Sequence, residues 1–163
     1  MPAPLMFLKF SGISYGMPYL VLLPSLIVGL ALSVHDMRSR VVPRSWVVSG
    51  YVIQLMTLMA RACFDGSWGI VVQAVLISVI CAAMQALMAC IRPEALGFGD
   101  VTTTFLTGLA VGTRGLFATA LWWLLMGALG CACLLVAHLR GHHSIAFAPV
   151  ILASGLIAVM CSA

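Results

Sequence analysis

From Trp68 to Ile91 the chain runs without one charged side chain, and other apolar stretches of the same kind divide the rest of the sequence. A run of roughly 20 apolar residues is what a helix needs to cross the hydrocarbon of a bilayer. Inside hydrocarbon each backbone N–H and C=O must find its partner within the segment, so such a run folds as a helix. Composition extends the constraint to the whole chain. Hydrophobic residues make up 63% and charged ones 7%, with a mean hydropathy of +1.17. Soluble domains carry charge at about 25%, and disordered chains combine low hydrophobicity with high charge. Both are excluded. The expectation is an all-α, polytopic membrane protein, one integral-membrane domain over residues 1–163 with about six transmembrane helices.

Charges, glycines and prolines place the six spans at about Met17–Val34, Trp46–Leu58 or a little beyond, Trp68–Ile91, Val101–Gly112, Leu116–His138 and Ala146–Cys161. The fourth is short. Its apolar part rises only ~18 Å as a helix, against ~30 Å of hydrocarbon, so it either starts earlier or is partly re-entrant. Pro24 and Pro149 fall inside expected spans and are read as kinks whose freed carbonyls neighbouring helices resatisfy. The first apolar run is too long for the h-region of a signal peptide and is read as a retained span.

The loops after the first, third and fifth spans hold Arg38, Arg40, Arg44, Arg92 and Arg140, whereas the other side holds Lys9, Arg61 and Arg114. By the positive-inside rule the first set is cytoplasmic and both termini lie outside. The net charge of +4 is scattered singly, which excludes a nucleic-acid patch. The cysteines, Cys63, Cys81, Cys90, Cys131, Cys133 and Cys161, lack metal-ligand spacing and read as small buried apolar residues.

Four acids exist: Asp36, Asp65, Glu94 and Asp100. In the six-span arrangement Asp36 closes the first span and Asp100 opens the fourth, so both arrive at the cytoplasmic boundary. Ionisable residues at membrane depth are costly and mark function by default. Two carboxyls brought within a few ångströms cannot both ionise comfortably. One then keeps its proton while the other serves as a base, and the pair titrates as one unit. The competing reading makes each an interfacial residue paired with Arg38 or Arg92. Asp100 sits in Gly97-Phe98-Gly99-Asp100, where two glycines leave the backbone open to an approaching chain. The same tetrapeptide could open a helix with Asp100 as N-cap for Thr102 and Thr103.

Three stretches together resemble the type IV prepilin peptidases, intramembrane aspartic proteases with a Gly-x-Gly-Asp signature: Ser33-Val34-His35-Asp36 with Arg38, Arg40 and Val42-Pro43; Glu94 through Val101; and Ile145-Ala146-Phe147-Ala148-Pro149-Val150-Ile151-Leu152-Ala153. The resemblance spans nearly the full chain. It implies Asp36 and Asp100 as the catalytic aspartates, with Gly97, Gly99, Pro43 and Glu94 as supporting or substrate-contacting residues. It also implies cleavage of prepilin leaders at the cytoplasmic boundary of the bacterial inner membrane, with no cofactor and no metal. The chain is similar to the short, peptidase-only form serving Flp or tight-adherence pili, without the cysteine-bearing methyl-transfer region. It departs from the family pattern at Arg44 and Thr102, where an asparagine after Pro43 and a lysine two residues past Asp100 are usual.

The expected partners are prepilin substrates and the lipid bilayer, and the sequence sets no oligomeric state. The rival functions are a small cation or proton transporter using the same aspartates, and a non-catalytic assembly subunit. A signal-peptide-peptidase-like enzyme would carry Tyr before its first aspartate, where this chain has His35. Asp65 beside Gly66 reads as a turn, and His138, His142 and His143 near Arg140 lack the acids or cysteines of a metal set. Trp122, Trp123 and Met126 read as packing or lipid-facing residues. Thr102, Thr103 and Thr104 either line a wet pocket or return their hydroxyls to carbonyls one turn back.

Overall fold

A computed structural model describes residues 22–39, 44–91, 97–141 and 146–162. Those residues form six helices, α1 (Leu23–Ser39), α2 (Arg44–Asp65), α3 (Trp68–Ile91), α4 (Phe98–Gly112), α5 (Leu116–Leu139) and α6 (Ala148–Cys161), and no strand lies among them. Pro43, Glu94, Arg92, His142, His143 and the expected start of the first span at Met17 lie outside the described residues.

Three helices, in α2, α3 and α5, are long and apolar enough to cross a membrane, and α6 is a shorter apolar helix. At 1.5 Å per residue the 24 residues of α3 and of α5 reach ~36 Å. The 15 residues of α4 reach only ~22 Å.

Helix α4 is the hub, touching each of the other five. Its tightest partner is α3, because glycine lets the two backbones close. A β-carbon on Gly112 would stand 2.9 Å from the Ala74 Cα, and one on Gly108 would stand 3.1 Å from the Ser78 Cα. Small residues at this spacing are how membrane helices gain dispersion contact where no hydrophobic force separates protein from lipid. Three side chains of α3 then bond to α4: Gln73 Nε2 to the Gly112 carbonyl at 2.9 Å, Ser78 Oγ to the Phe105 carbonyl at 2.6 Å and Gln85 Nε2 to Thr104 Oγ1 at 3.3 Å. Each contributes about 0.6–1 kcal/mol in such a setting.

Helices α5 and α6 pack around Trp122, which is fully buried and donates Nε1–H to the Ile151 carbonyl at 3.0 Å. Helices α1 and α2 are tied by Gln54, whose Oε1 accepts the Ser25 N–H at 3.0 Å.

Several boundaries differ from the sequence reading. Helix α1 runs on to Ser39 and α2 on to Asp65, where Arg61 and Asp65 form an i,i+4 ion pair before Gly66 turns the chain at φ +67°. Pro24 and Pro149 are each the second residue of a helix, not mid-span kinks. In the first turn the missing N–H breaks no intrahelical bond, so neither proline has a carbonyl to free. The cysteines are also corrected. Only Cys81 is buried in the protein; the other five lie exposed on the helix surfaces, and none forms a disulfide.

Candidate functional site

Asp36 lies in the last turn of α1 and Asp100 in the first turn of α4. The two helices run antiparallel, so both residues come to one end of the bundle. Leu32, one turn ahead of Asp36, packs with Leu106 and Val47 below the pair. At the far end Leu22, just ahead of α1, and Ser25 of α1 line a cavity of about 240 Å³ together with Thr107 and Val111 of α4. Asp36 is buried and Asp100 partly so.

Gly97 occupies the position before α4 with extended backbone, φ −79° and ψ 150°. Asp100 is not the N-cap: it stands three residues in, and its Oδ2 reaches back to accept the Gly97 N–H at 3.2 Å. That bond satisfies one of the donors a helix start leaves open. The carbonyl of Gly99 accepts both the Thr102 and Thr103 hydroxyls, at 2.8 and 2.9 Å. These two threonines thus turn back on their own helix, while Thr104 faces Gln85.

Asp100 precedes the apolar run that begins at Val101. Burial pushes its carboxyl up to about 6, the Gly97 N–H works against that rise, and the nearby charge of Asp36 adds to it. A carboxyl pair with one member inclined to keep its proton can act as acid and base together. His35 leans edge-on toward Trp46, with ring centroids 5.9 Å apart, at the junction of α1 and α2. Ser33, one turn ahead of Asp36, is buried and its hydroxyl has no hydrogen-bond partner.

The structure therefore gathers Asp36, Asp100, Gly97 and Gly99 at one end of α1 and α4. Among the described residues no group of histidines, cysteines and acids is arranged to hold a metal ion. The sequence reading passed over Gln73, Ser78 and Gln85. Their signal was present: amides and a hydroxyl within an otherwise apolar helix must find partners there.

Fold and site define a helical membrane protein with an aspartate pair at one end of its central helix. The chain belongs to the type IV leader peptidase family, whose model matches residues 20–136. That makes it a membrane peptidase of this family, and the matched stretch holds Asp36, Gly97, Gly99 and Asp100 but ends before Phe147 and Pro149. Neither a curated protein nor a solved structure matches the chain.

Proposed function

We propose that the protein is an aspartic endopeptidase that removes the leader peptide of prepilins at the cytoplasmic boundary of the bacterial inner membrane, with Asp36 and Asp100 as its catalytic residues. The observation that carries this reading is the arrival of both carboxyls at one end of antiparallel α1 and α4, near enough for the charge of Asp36 to act on Asp100. Family membership supports the peptidase class.

The substrate's topology fits the position. A basic leader stays in the cytoplasm and an apolar stem enters the bilayer, which leaves the scissile bond at the boundary. One ionised carboxylate draws a proton from water as its oxygen adds to the scissile carbonyl carbon. The protonated partner polarises the carbonyl oxygen, and a proton then passes to the departing amine. The pair acts as one titrating unit, so the two roles are shared between Asp36 and Asp100. Gly97, exposed and without a side chain, leaves room for a peptide to come close to the pair. Pro43 and Glu94 are assigned supporting roles, and the reaction uses no cofactor.

The test is co-expression with a prepilin. The expected result is a fall in pilin mass equal to the leader, lost in Asp36→Asn and in Asp100→Asn while both variants still insert in the membrane. Normal processing by either variant would remove the aspartate assignment. Unprocessed pilin together with altered ion flux would favour a transporter instead.

A further inference from the structure

A fully apolar α3 would suffice for a membrane span, yet α3 carries Gln85 with 2% of its surface exposed. An amide buried in this way costs free energy unless it is bonded. Its Nε2 donates to Thr104 Oγ1 at 3.3 Å and lies 3.9 Å from the sulfur of Met126 on α5. Thr104 stands four residues beyond Asp100. That spacing puts it on the same face of α4, ~6 Å further along the axis.

The start of α4 has few holds of its own. Gly97 and Gly99 have no side chains, and Phe98 is exposed. Thr102 and Thr103 bond within the helix, so Thr104 alone of the three threonines reaches a neighbouring helix. The other two bonds from α3 land deeper, on the carbonyls of Phe105 and Gly112. We infer that Gln85 and Thr104 are positioning residues for the carboxyl pair: their bond fixes the rotation of the first turns of α4 and thereby the aim of Asp100 at Asp36. The inference rests on the peptidase reading above. Neither residue touches the reacting atoms; both act through Asp100.

A small rotation at Asp100 would misplace one of two carboxyls that must share a proton and a water. Misplacement of a catalytic group by about 1 Å costs up to about a hundredfold in rate. The loss should fall on turnover and not on substrate binding, because Gln85 and Thr104 are buried and present no surface to the peptide.

The experiment uses the full chain in liposomes with a full-length prepilin, comparing the wild type with Thr104→Val, Thr104→Ser, Gln85→Leu and the Gln85→Leu/Thr104→Val double variant. Thr104→Val keeps the shape and loses the hydroxyl, whereas Thr104→Ser keeps the hydroxyl. The expected result is a fall in kcat of about tenfold or more for Thr104→Val and for Gln85→Leu, with KM unchanged. Thr104→Ser retains most of the wild-type kcat. The double variant falls no further than the worse single one, as two residues acting through one bond require. A Thr104→Val enzyme with wild-type kcat overturns the inference, as does an additive double variant or a Thr104→Ser as slow as Thr104→Val. If the wild type itself leaves prepilin uncut, the peptidase reading fails and takes this one with it.

Discussion

The carboxylate of Asp100 accepts a hydrogen bond from the backbone N–H of Gly97 at 3.2 Å, so the acid of the candidate site also closes the first turn of its own helix. The two duties make different demands on the side chain. Capping needs only an acceptor oxygen, whereas acid-base work needs a carboxyl.

Substitutions at Asp100 should separate them. Asn retains an acceptor at the same reach, so at about pH 4, where the wild-type carboxyl is protonated, Asp100→Asn should melt within about 0.5 kcal/mol of the wild type, and above about pH 6 it should be the more stable of the two. At about pH 4 Asp100→Ala leaves the Gly97 N–H without this partner and should lose up to about 1 kcal/mol, since the bond is exposed and water replaces part of it. Thermal unfolding in detergent measures both. Pilin processing should be absent in each, which makes Asn the cleaner probe of chemistry.

The proton on Asp100 gives a second expectation. Its carboxyl is raised from 3.8 to about 6, by burial first, against the Gly97 N–H, and with a further rise from Asp36. Below about pH 4 folded and unfolded chains are both protonated at this residue. As pH climbs from about 4 to about 6 the unfolded chain gives up a proton that the folded chain keeps, so stability falls through that window and levels off above it. Asp100→Asn should flatten this slope. Asp36→Asn should lower the Asp100 value yet leave it above 3.8, because burial outweighs the neighbouring charge. The carbonyl stretch of the protonated acid, followed by infrared titration, reads it directly.

How far the sequence disclosed this arrangement depends on what each segment's physics left visible. The third expected span coincides with α3, Trp68–Ile91, because an uncharged run between a Gly-Ser turn and Arg92 admits one reading. Helix α4 opens at Phe98, the earlier start that the shortness of the fourth apolar run allows: Phe98-Gly99-Asp100 reads as loop by composition, and the bonds between Gly97 and Asp100 carry the helix back to Phe98. The second span reads from Trp46 to Leu58 or a little beyond because Arg61 and Asp65 resemble loop charges, whereas they pair along a helix that runs to Asp65. Pro24 and Pro149 read as kinks inside their spans because hydropathy is blind to where the first turn begins. The aspartates were legible through their scarcity and the motif around Asp100. The α3–α4 ties were not, since partners on another helix leave no mark in local spacing.

A third expectation concerns the indole at the centre of the α5–α6 contact. Trp122 is wholly buried and its Nε1–H is committed to the Ile151 carbonyl. Trp122→Phe removes that donor and part of the ring volume in one step. Large-to-small changes in a close-packed interior leave cavities that relax only in part, so a loss of about 1–3 kcal/mol is expected. Gly127→Ala on the same helix should do the reverse: nothing lies within 4 Å of its added β-carbon, and replacing a mid-helix glycine favours the helix by about 0.5–1 kcal/mol. Melting temperatures of the two variants should move in opposite directions.

Gly155 supplies the most specific packing test. A β-carbon there would stand 2.5 Å from the Thr107 Cγ2 and 3.3 Å from the Trp122 Nε1. Thr107 is β-branched and stiff at χ1, so it cannot swing aside without leaving its rotamer. Gly155→Ala should therefore destabilise by about 1–3 kcal/mol despite the helix propensity of alanine. Thr107→Ala in the same molecule should restore the loss, because it removes the clashing methyl and moves its volume across the interface. The second change also deletes the Thr107 hydroxyl, which is buried without a hydrogen-bond partner and whose desolvation nothing offsets. The double variant should accordingly melt at or above the wild-type temperature, while Gly155→Ala alone melts below it. A Gly155→Ala protein as stable as the wild type would show that α4 and α6 sit further apart than this contact requires.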